Sequence, residues 1–385
     1  MSGTLSVSVV IAFSPLAAIY NDVAMYFSDK WWHTDADSGK VVCTLCPREC
    51  HIPVGGRGFC FVRGNEGGRM ALTTYGRSSG FCIDPIEKKP LNHFLPGTPV
   101  LSLGTAGCNL GCKFCQNWDI SKSREMDTLA GEAGPEAIIE ACKRTGSRSV
   151  AFTYNDPTIW AEYAIDIARV ARREGIKTVA VTAGYISPDA RREFYEWMDA
   201  ANVDLKGFTD VFYRKLCQAE LQPVLDTINY LKHETNVWQE LTNLMIPGEN
   251  DSHEETKAMC QWILDNVGDE VPIHFTAFHP DFKMMDKPRT PHETLIEARQ
   301  IALDLGIKYA YVGNVYDKER ESTYCPGCGK VVIERDWHEL GQYHLVGNWC
   351  EFCGTKVAGV FEDKPGHWGR KRVPLRIVNA ASGSS

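Results

Sequence analysis

The stretch Val100-Leu-Ser-Leu-Gly104-Thr-Ala-Gly107-Cys108-Asn-Leu-Gly111-Cys112-Lys-Phe114-Cys115-Gln-Asn117 decides the reading of this chain. A short β-rich run, Val100–Gly104, ends in a glycine-rich loop with three cysteines at x₃ and then x₂ spacing. Three thiolates so spaced can wrap one face of a cubane cluster from a single loop, and the glycines let the backbone turn tightly around it. A [4Fe–4S] cubane takes four ligands. The loop supplies three, and no fourth cysteine lies near in sequence. One iron is then left open for an outside ligand, as a catalytic metal site requires. The competing readings are a zinc loop or three unrelated core cysteines. Spacing, placement after a strand and the aromatic Phe114 weigh against both.

Outward from this loop, β-rich runs alternate with amphipathic stretches. Strands are predicted at Val100–Gly104, Ser149–Thr153, Thr178–Thr182, Val203–Lys206, Trp238–Ile246, Val271–Phe275 and Lys308–Val312. Helices are predicted at Pro135–Thr145, Ile159–Glu174, Pro188–Asp199, Asp210–Cys217, Val224–His233, Ser252–Asn266 and Pro291–Leu305. Ser187-Pro188 and Ser252-x-x-Glu255 are helix-start signals. Such alternation implies an α/β chain with a parallel sheet, and six or seven units suffice for a full or partial (β/α) barrel. The chemistry of such barrels sits at the C-terminal strand ends.

The layout predicted is an N-terminal extension over 1–39, a Cys-rich segment over 40–97, the barrel core over 98–318, and a zinc-ribbon-like domain with its tail over 319–385. The 385 residues carry a net charge of −8 and no basic block, which disfavours a nucleic-acid partner. Leu5–Tyr20 is apolar but broken by Pro15, and no Lys or Arg precedes it. It reads as a docking extension, neither signal peptide nor membrane span. The small polar tail Ala380–Ser385 reads as disordered.

Fifteen cysteines are clustered rather than scattered. In a long chain with its own core, clusters read as metal thiolates in a reducing compartment, hence a cytoplasmic protein. Cys325-Pro-Gly-Cys328-Gly and Cys350-Glu-Phe-Cys353-Gly are two knuckles. Each points two thiolates at one ion, giving a Cys₄ site typical of structural zinc, with a rubredoxin-like iron site as the alternative. His338 and His344 lie between the knuckles and are not read as ligands. Cys43, Cys46, Cys50 and Cys60 form a second group for zinc or an auxiliary [4Fe–4S] cluster, with zinc slightly favoured and Cys82 a candidate replacement for one ligand. Cys142, Cys217 and Cys260 fall in helical patterns and read as buried.

The pattern Cys-x₃-Cys-x-aromatic-Cys after the first strand of a βα barrel resembles the radical S-adenosylmethionine (SAM) superfamily. The resemblance implies a [4Fe–4S] cluster on Cys108, Cys112 and Cys115, and SAM chelated at the open iron. Reductive cleavage would then give a 5′-deoxyadenosyl radical that abstracts hydrogen from a small-molecule or protein substrate. It further implies an electron donor such as flavodoxin or ferredoxin. Cys43-x₂-Cys46-Pro, Gly58-Phe-Cys60, Asp84-Pro-Ile-Glu-Lys-Lys-Pro90, Cys115-Gln-Asn117, Tyr154-Asn-Asp-Pro-Thr158, Val203-Asp-Leu-Lys206 and Ile246-Pro-Gly-Glu-Asn-Asp251 extend the likeness. They resemble a subgroup near the pyruvate formate-lyase activating enzymes, the radical SAM member of the AmmeMemoRadiSam system.

By that resemblance Asn155 and Asp156 hold the SAM amino group, and Thr182, Asp204 and Lys206 line the site at strand ends. Lys206 reaches the SAM carboxylate, His279 meets the ribose, and Phe114 belongs to the cofactor-binding loop. Taken alone, Asp156 also suits a turn cap, Lys206 a surface ion pair and His279 a structural role. Activating enzymes usually show Asp-Thr-Asn-Gly where this chain has Val181-Thr-Ala-Gly184. That departure puts their metal-ion site in doubt and weakens a glycyl-radical activase. An RNA-modifying enzyme and a non-catalytic iron–sulfur scaffold compete with both.

Overall fold

A computed structural model describes residues 9–13, 25–122, 129 and 131–379. The tail 380–385 and most of the apolar run 5–20 lie outside the described residues. Among the described residues no helix is long and apolar enough to cross a membrane.

One ten-stranded sheet organises the chain. In chain order its strands are β1 (Val9–Phe13), β2 (Gly80–Pro85), β3 (Pro99–Gly104), β4 (Ser149–Phe152), β5 (Lys177–Thr182), β6 (Ala200–Asp204), β7 (Trp238–Met245), β8 (Ile273–Ala277), β9 (Ala310–Gly313) and β10 (Val373–Asn379). The spatial order is β1-β10-β2-β3-β4-β5-β6-β7-β8-β9. Strands β3 to β9 are parallel neighbours in sequence order, with Leu101 opposite Val150 and Asp204 opposite Thr242. These are the seven predicted strands, shifted by up to three residues at their starts. The sixth begins after Pro272, which has no N–H to give to the ladder.

On the other side β2 runs antiparallel to β3, β10 antiparallel to β2, and β1 parallel to β10. The alternation of runs did not predict these three strands. The result is the α/β partial barrel that was expected.

Six helices link the parallel strands: α1 (Pro135–Thr145), α2 (Ala161–Arg173), α3 (Pro188–Tyr195), α4 (Gln222–Glu234), α5 (His253–Val267) and α6 (His292–Leu305). Their starts follow local chemistry. Ser252 Oγ accepts the Glu255 N–H at 3.2 Å, and Pro188 occupies the first turn of α3. The predicted helix over 210–217 is an α-turn at Asp210–Phe212 that widens to a π-turn over Tyr213–Cys217.

Leu101, Leu103, Val150 and Phe152 pack outward against the helices. Val100, Ala151, Val179 and Ala200 point inward onto Ile86, Leu91, Phe94 and Leu95, which plug the N-terminal end of the barrel. The other end is left open for chemistry. The Cys-rich segment is clamped to α2 by a buried, two-pronged ion pair: Arg63 Nη1 and Nη2 each lie 2.8 Å from a Glu162 oxygen. The C-terminal ribbon carries an antiparallel hairpin, β-paired over Val331–Asp336 and Glu339–Tyr343.

Candidate metal and cofactor site

The cysteine loop is held by side chains that sequence reasoning assigned elsewhere. Asn155, just past β4, accepts the Thr105 N–H at 3.0 Å and donates from Nδ2 to the carbonyl oxygens of Ala106 and Gly107 at 3.2 and 2.9 Å. The amide is thus engaged on the loop, and Asn155 also lines the cavity described below. Gly107 sits at φ +80°, and a Cβ there would lie 2.1 Å from the Cys60 carbonyl oxygen. No other residue fits so close an approach. From the other side, the Gly111 and Lys113 N–H groups donate to the Cys217 and Leu216 carbonyls at 2.8 and 2.9 Å. Those acceptors belong to the π-turn, a device often found beside functional sites.

The loop so held turns Cys108, Cys112 and Cys115 toward one cavity of about 830 Å³. Burial pushes the Cys108 thiol up to about 12. Cys112 moves the other way, below the usual thiol range. The Cys217 thiol donates to it, and the Lys206 and Lys122 ammonium groups add to the effect against burial. A metal site needs thiolates, and this neighbourhood favours one. Cys217 beside Cys112 is a contact that spacing along the chain could not reveal. It lies behind the loop and does not line the cavity. As expected, it is buried, like Cys142 and Cys260.

Six expected residues meet around the same cavity: Phe114, Asn155, Asp156, Thr182, Asp204 and Lys206. Asp156 caps the short 3₁₀ turn Pro157–Trp160 by accepting the Thr158 N–H at 3.0 Å. It also accepts from Thr182 Oγ1 at 3.1 Å and from the Ala183 N–H at 2.8 Å. Burial raises its pKa even so. Asp156 thus acts as a turn cap and also lines the cavity. Lys206 Nζ lies 2.8 Å from Asp204. Burial opposes its charge, but Asp204 and the thiols outweigh burial and hold it well above the usual lysine range. Phe114 is buried against Phe212, with ring centres 5.8 Å apart.

His279 departs from expectation. Phe278, anchored through its N–H to Thr290 Oγ1 at 2.8 Å, turns inward, and His279 next to it is exposed and does not line the cavity. The turn between the ribbon's hairpin strands does what no motif announced: Trp337 and His338 form part of the cavity wall. Trp337 adopts φ +63°, uncommon for a bulky residue, and its N–H is held by Glu321 at 2.7 Å.

Of the two flanking cysteine groups, the C-terminal one closes to metal-ligand distance. The Cys325, Cys328, Cys350 and Cys353 sulfurs all lie within 4.8 Å of one another, with 3.5 Å between Cys325 and Cys353. Four sulfurs about 2.3 Å from one tetrahedral ion would stand about 3.8 Å apart. His344 turns instead to Glu351 at 3.0 Å. Cys43, Cys46, Cys50 and Cys60 ring a small cavity of about 20 Å³ that Asn109 of the cysteine loop also lines. Arg48 ties the two regions together by donating to the Asn109 and Gln218 carbonyls. Cys82 does not join this group. It faces Ser102 across β2 and β3, lines the large cavity, and so is no replacement ligand.

Comparison with known proteins bears on this arrangement. The Radical SAM superfamily family model matches residues 102–260. An uncharacterized protein of Methanocaldococcus jannaschii is 42% identical over 323 residues, covering 83% of this chain and 96% of that one. The pyruvate formate-lyase-activating enzyme of Clostridium pasteurianum is 21% identical over 183 residues, 45% of this chain and 72% of that one. Among solved structures, a domain of a pyruvate-formate lyase-activating enzyme from Bacteroides vulgatus aligns with TM-score 0.38 and 18% identity, over 43% of this chain and 99% of that one.

Proposed function

This chain belongs to the radical SAM superfamily, and from that premise we propose that it cleaves SAM reductively and abstracts hydrogen from a small-molecule or protein substrate. The observation that carries the reading is the convergence, on one cavity, of three thiols from a single loop with Asp156 and Lys206 at strand ends. Cys108, Cys112 and Cys115 would hold a [4Fe–4S] cluster, which would supply the electron for reductive cleavage of SAM to methionine and a 5′-deoxyadenosyl radical. The protein's own part is placement and shielding. Asp156 offers a carboxylate to the SAM ammonium, and Thr182 and Ala183 fix its orientation. Lys206 offers an ammonium to the SAM carboxylate while Asp204 steadies it. Buried Phe114 keeps water from the loop.

Flavodoxin or ferredoxin fits as the electron donor, and the need for reduced thiolates supports a cytoplasmic location. The ribbon's four cysteines suit one structural zinc ion, and the N-terminal four suit zinc or an auxiliary cluster. Glycyl-radical activation is the second reading, favoured by the likeness to the Clostridium pasteurianum enzyme and opposed by Val181-Thr-Ala-Gly184. Anaerobic reconstitution with iron and sulfide, followed by SAM and a reductant, tests the proposal. 5′-Deoxyadenosine should form, and its absence from fully loaded protein counts against the reading.

A further inference from the structure

The motif Asp84–Pro90 has no part in the chemistry above, yet it lies in the cavity wall. Asp84 is fully buried on β2. Lys89 Nζ lies 2.8 Å from one of its oxygens, Lys88 Nζ 3.0 Å from the other, and Arg372 Nε 4.0 Å away. Tyr154 donates its hydroxyl to the same carboxylate at 3.0 Å. Three cations thus share one carboxylate, and two positive charges are left over in a chain whose net charge is −8. No other carboxylate among the described residues pairs with Lys88, Lys89 or Arg372. Of the nearby acids in the cavity wall, Glu321 accepts the Trp337 N–H; Glu87 accepts the Gly97 N–H at 2.7 Å through Oε1 while its Oε2 has no partner, and burial raises its carboxyl to about 7, which weakens its charge as a competitor for the cations.

His338, at the tip of the ribbon hairpin, faces this group. Burial and the Lys88 and Lys89 charges hold it neutral, down to about 4. Lys89 is 3% exposed and is the cation that pairs with Asp84 in the buried wall, while Lys88 and Arg372, 35% and 65% exposed, carry the surplus charge at the edge of the cavity. An anion entering the cavity would give these two cations a charge-assisted partner.

Position gives the cluster its meaning. Asp84 lies opposite Val100 and Cys82 opposite Ser102, so the cations sit further down the barrel than Gly104, where the cysteine loop begins. Lys88, Lys89, Arg372 and His338 line the same cavity as the three cysteines. A molecule anchored at the cationic end would extend toward the radical source at the other. We propose that Lys88, Arg372 and His338, backed by Lys89, form an oxyanion subsite that holds a carboxylate or phosphate group of the substrate. The word substrate here rests on the radical SAM reading; the anion site itself does not.

The test uses the full chain, anaerobically reconstituted, at constant ionic strength balanced with chloride. Inorganic phosphate, succinate and uncharged glycerol are titrated by calorimetry. Saturable binding of phosphate or succinate is expected, with none for glycerol. Affinity should fall at least tenfold in the Lys88→Gln/Arg372→Gln double variant and be unchanged in the distant control Lys177→Gln. Should the double variant lose its fold, His338→Asn leaves the Asp84 contacts in place and should still weaken binding severalfold. Phosphate alone binding points to a phosphorylated substrate, and succinate alone to a carboxylic acid. Equal affinity in wild type and variants, or no saturable anion binding in wild type, overturns the proposal. Anion binding without 5′-deoxyadenosine formation would leave the subsite standing and remove the radical reading. 5′-Deoxyadenosine without anion binding would do the reverse.

Discussion

Asn155 Nδ2 donates to the Gly107 carbonyl oxygen at 2.9 Å, one residue ahead of Cys108. The same amide binds Thr105 through both its N–H and its hydroxyl, and receives the Trp160 indole N–H at 3.3 Å. Asn155→Ala therefore leaves several buried loop groups unpaired, at a cost of about 1–3 kcal/mol each before relaxation. The variant should fold with a lowered Tm and bind less iron after reconstitution. Iron content equal to wild type would show that the loop holds its shape without this strut.

Cys108→Ala, Cys112→Ala and Cys115→Ala should each abolish 5′-deoxyadenosine formation while circular dichroism stays close to wild type. Each removes one of three ligands that no neighbouring residue on the same loop can replace. Cys217→Ala is the informative companion. It should leave the cluster in place, since Cys217 does not line the cavity. Loss of iron in that variant would make Cys217 a ligand.

Asp156→Ala should weaken SAM binding by about 1.5–3 kcal/mol, the usual worth of a charged hydrogen-bond partner. Because Asp156 also binds Thr182 and Ala183, Asp156→Asn is the cleaner probe: it keeps an acceptor and loses the charge. Calorimetry on reconstituted protein should rank wild type above Asp156→Asn and Asp156→Asn above Asp156→Ala. Equal affinities would remove Asp156 from the site.

Cys350→Ser should release one zinc ion and lower thermal stability, with iron content unchanged. Metal analysis decides between this and a redox ribbon, which would lose iron instead. SAM cleavage should survive in part, because the cysteine loop belongs to the barrel.

The Arg63–Glu162 pair makes a pH prediction. Burial opposes ionisation of Glu162, but Arg63 and its two hydrogen bonds outweigh burial and hold the carboxyl below the usual carboxylate range. A depressed folded-state pKa gives stability that is fully present above the unfolded value of about 4.3 and is lost as pH falls through the lower folded value. Glu162→Gln should cost about 3–5 kcal/mol at neutral pH, since it strands a buried guanidinium. The gap in Tm between wild type and variant should narrow below about pH 4. A gap independent of pH would show that packing, not charge, joins the Cys-rich segment to the barrel.

The seven parallel strands were legible because each is a short β-rich run followed by a turn and an amphipathic helix. The cysteine loop was legible because its three cysteines are close in sequence. Long-range meetings were not. Nothing local says that Cys217 reaches Cys112, since that contact depends on a π-turn whose sequence, Tyr213–Cys217, reads as ordinary helix. Lys88 and Arg372 come from opposite ends of the chain and meet only because β10 pairs with β2. His279 is the converse case. Its place in a motif suggests a contact, whereas Phe278 turns inward and His279 lies exposed beside the cavity wall rather than in it.

The pairing of β10 with β2, Val373 opposite Ile83 and Leu375 opposite Phe81, also sets a timetable for synthesis. A ribosome emits residues 80–85 long before residues 373–379, so during most of translation β2 has an unpaired edge beside the nascent barrel. Exposed edges invite pairing with other chains, and non-local strand pairing is slow. The barrel can gather its seven consecutive strands as they emerge, but the wall that carries Arg372 closes only once residues 373–379 are available. Shielding of the β2 edge until residues 373–379 arrive would then raise the yield of folded chains.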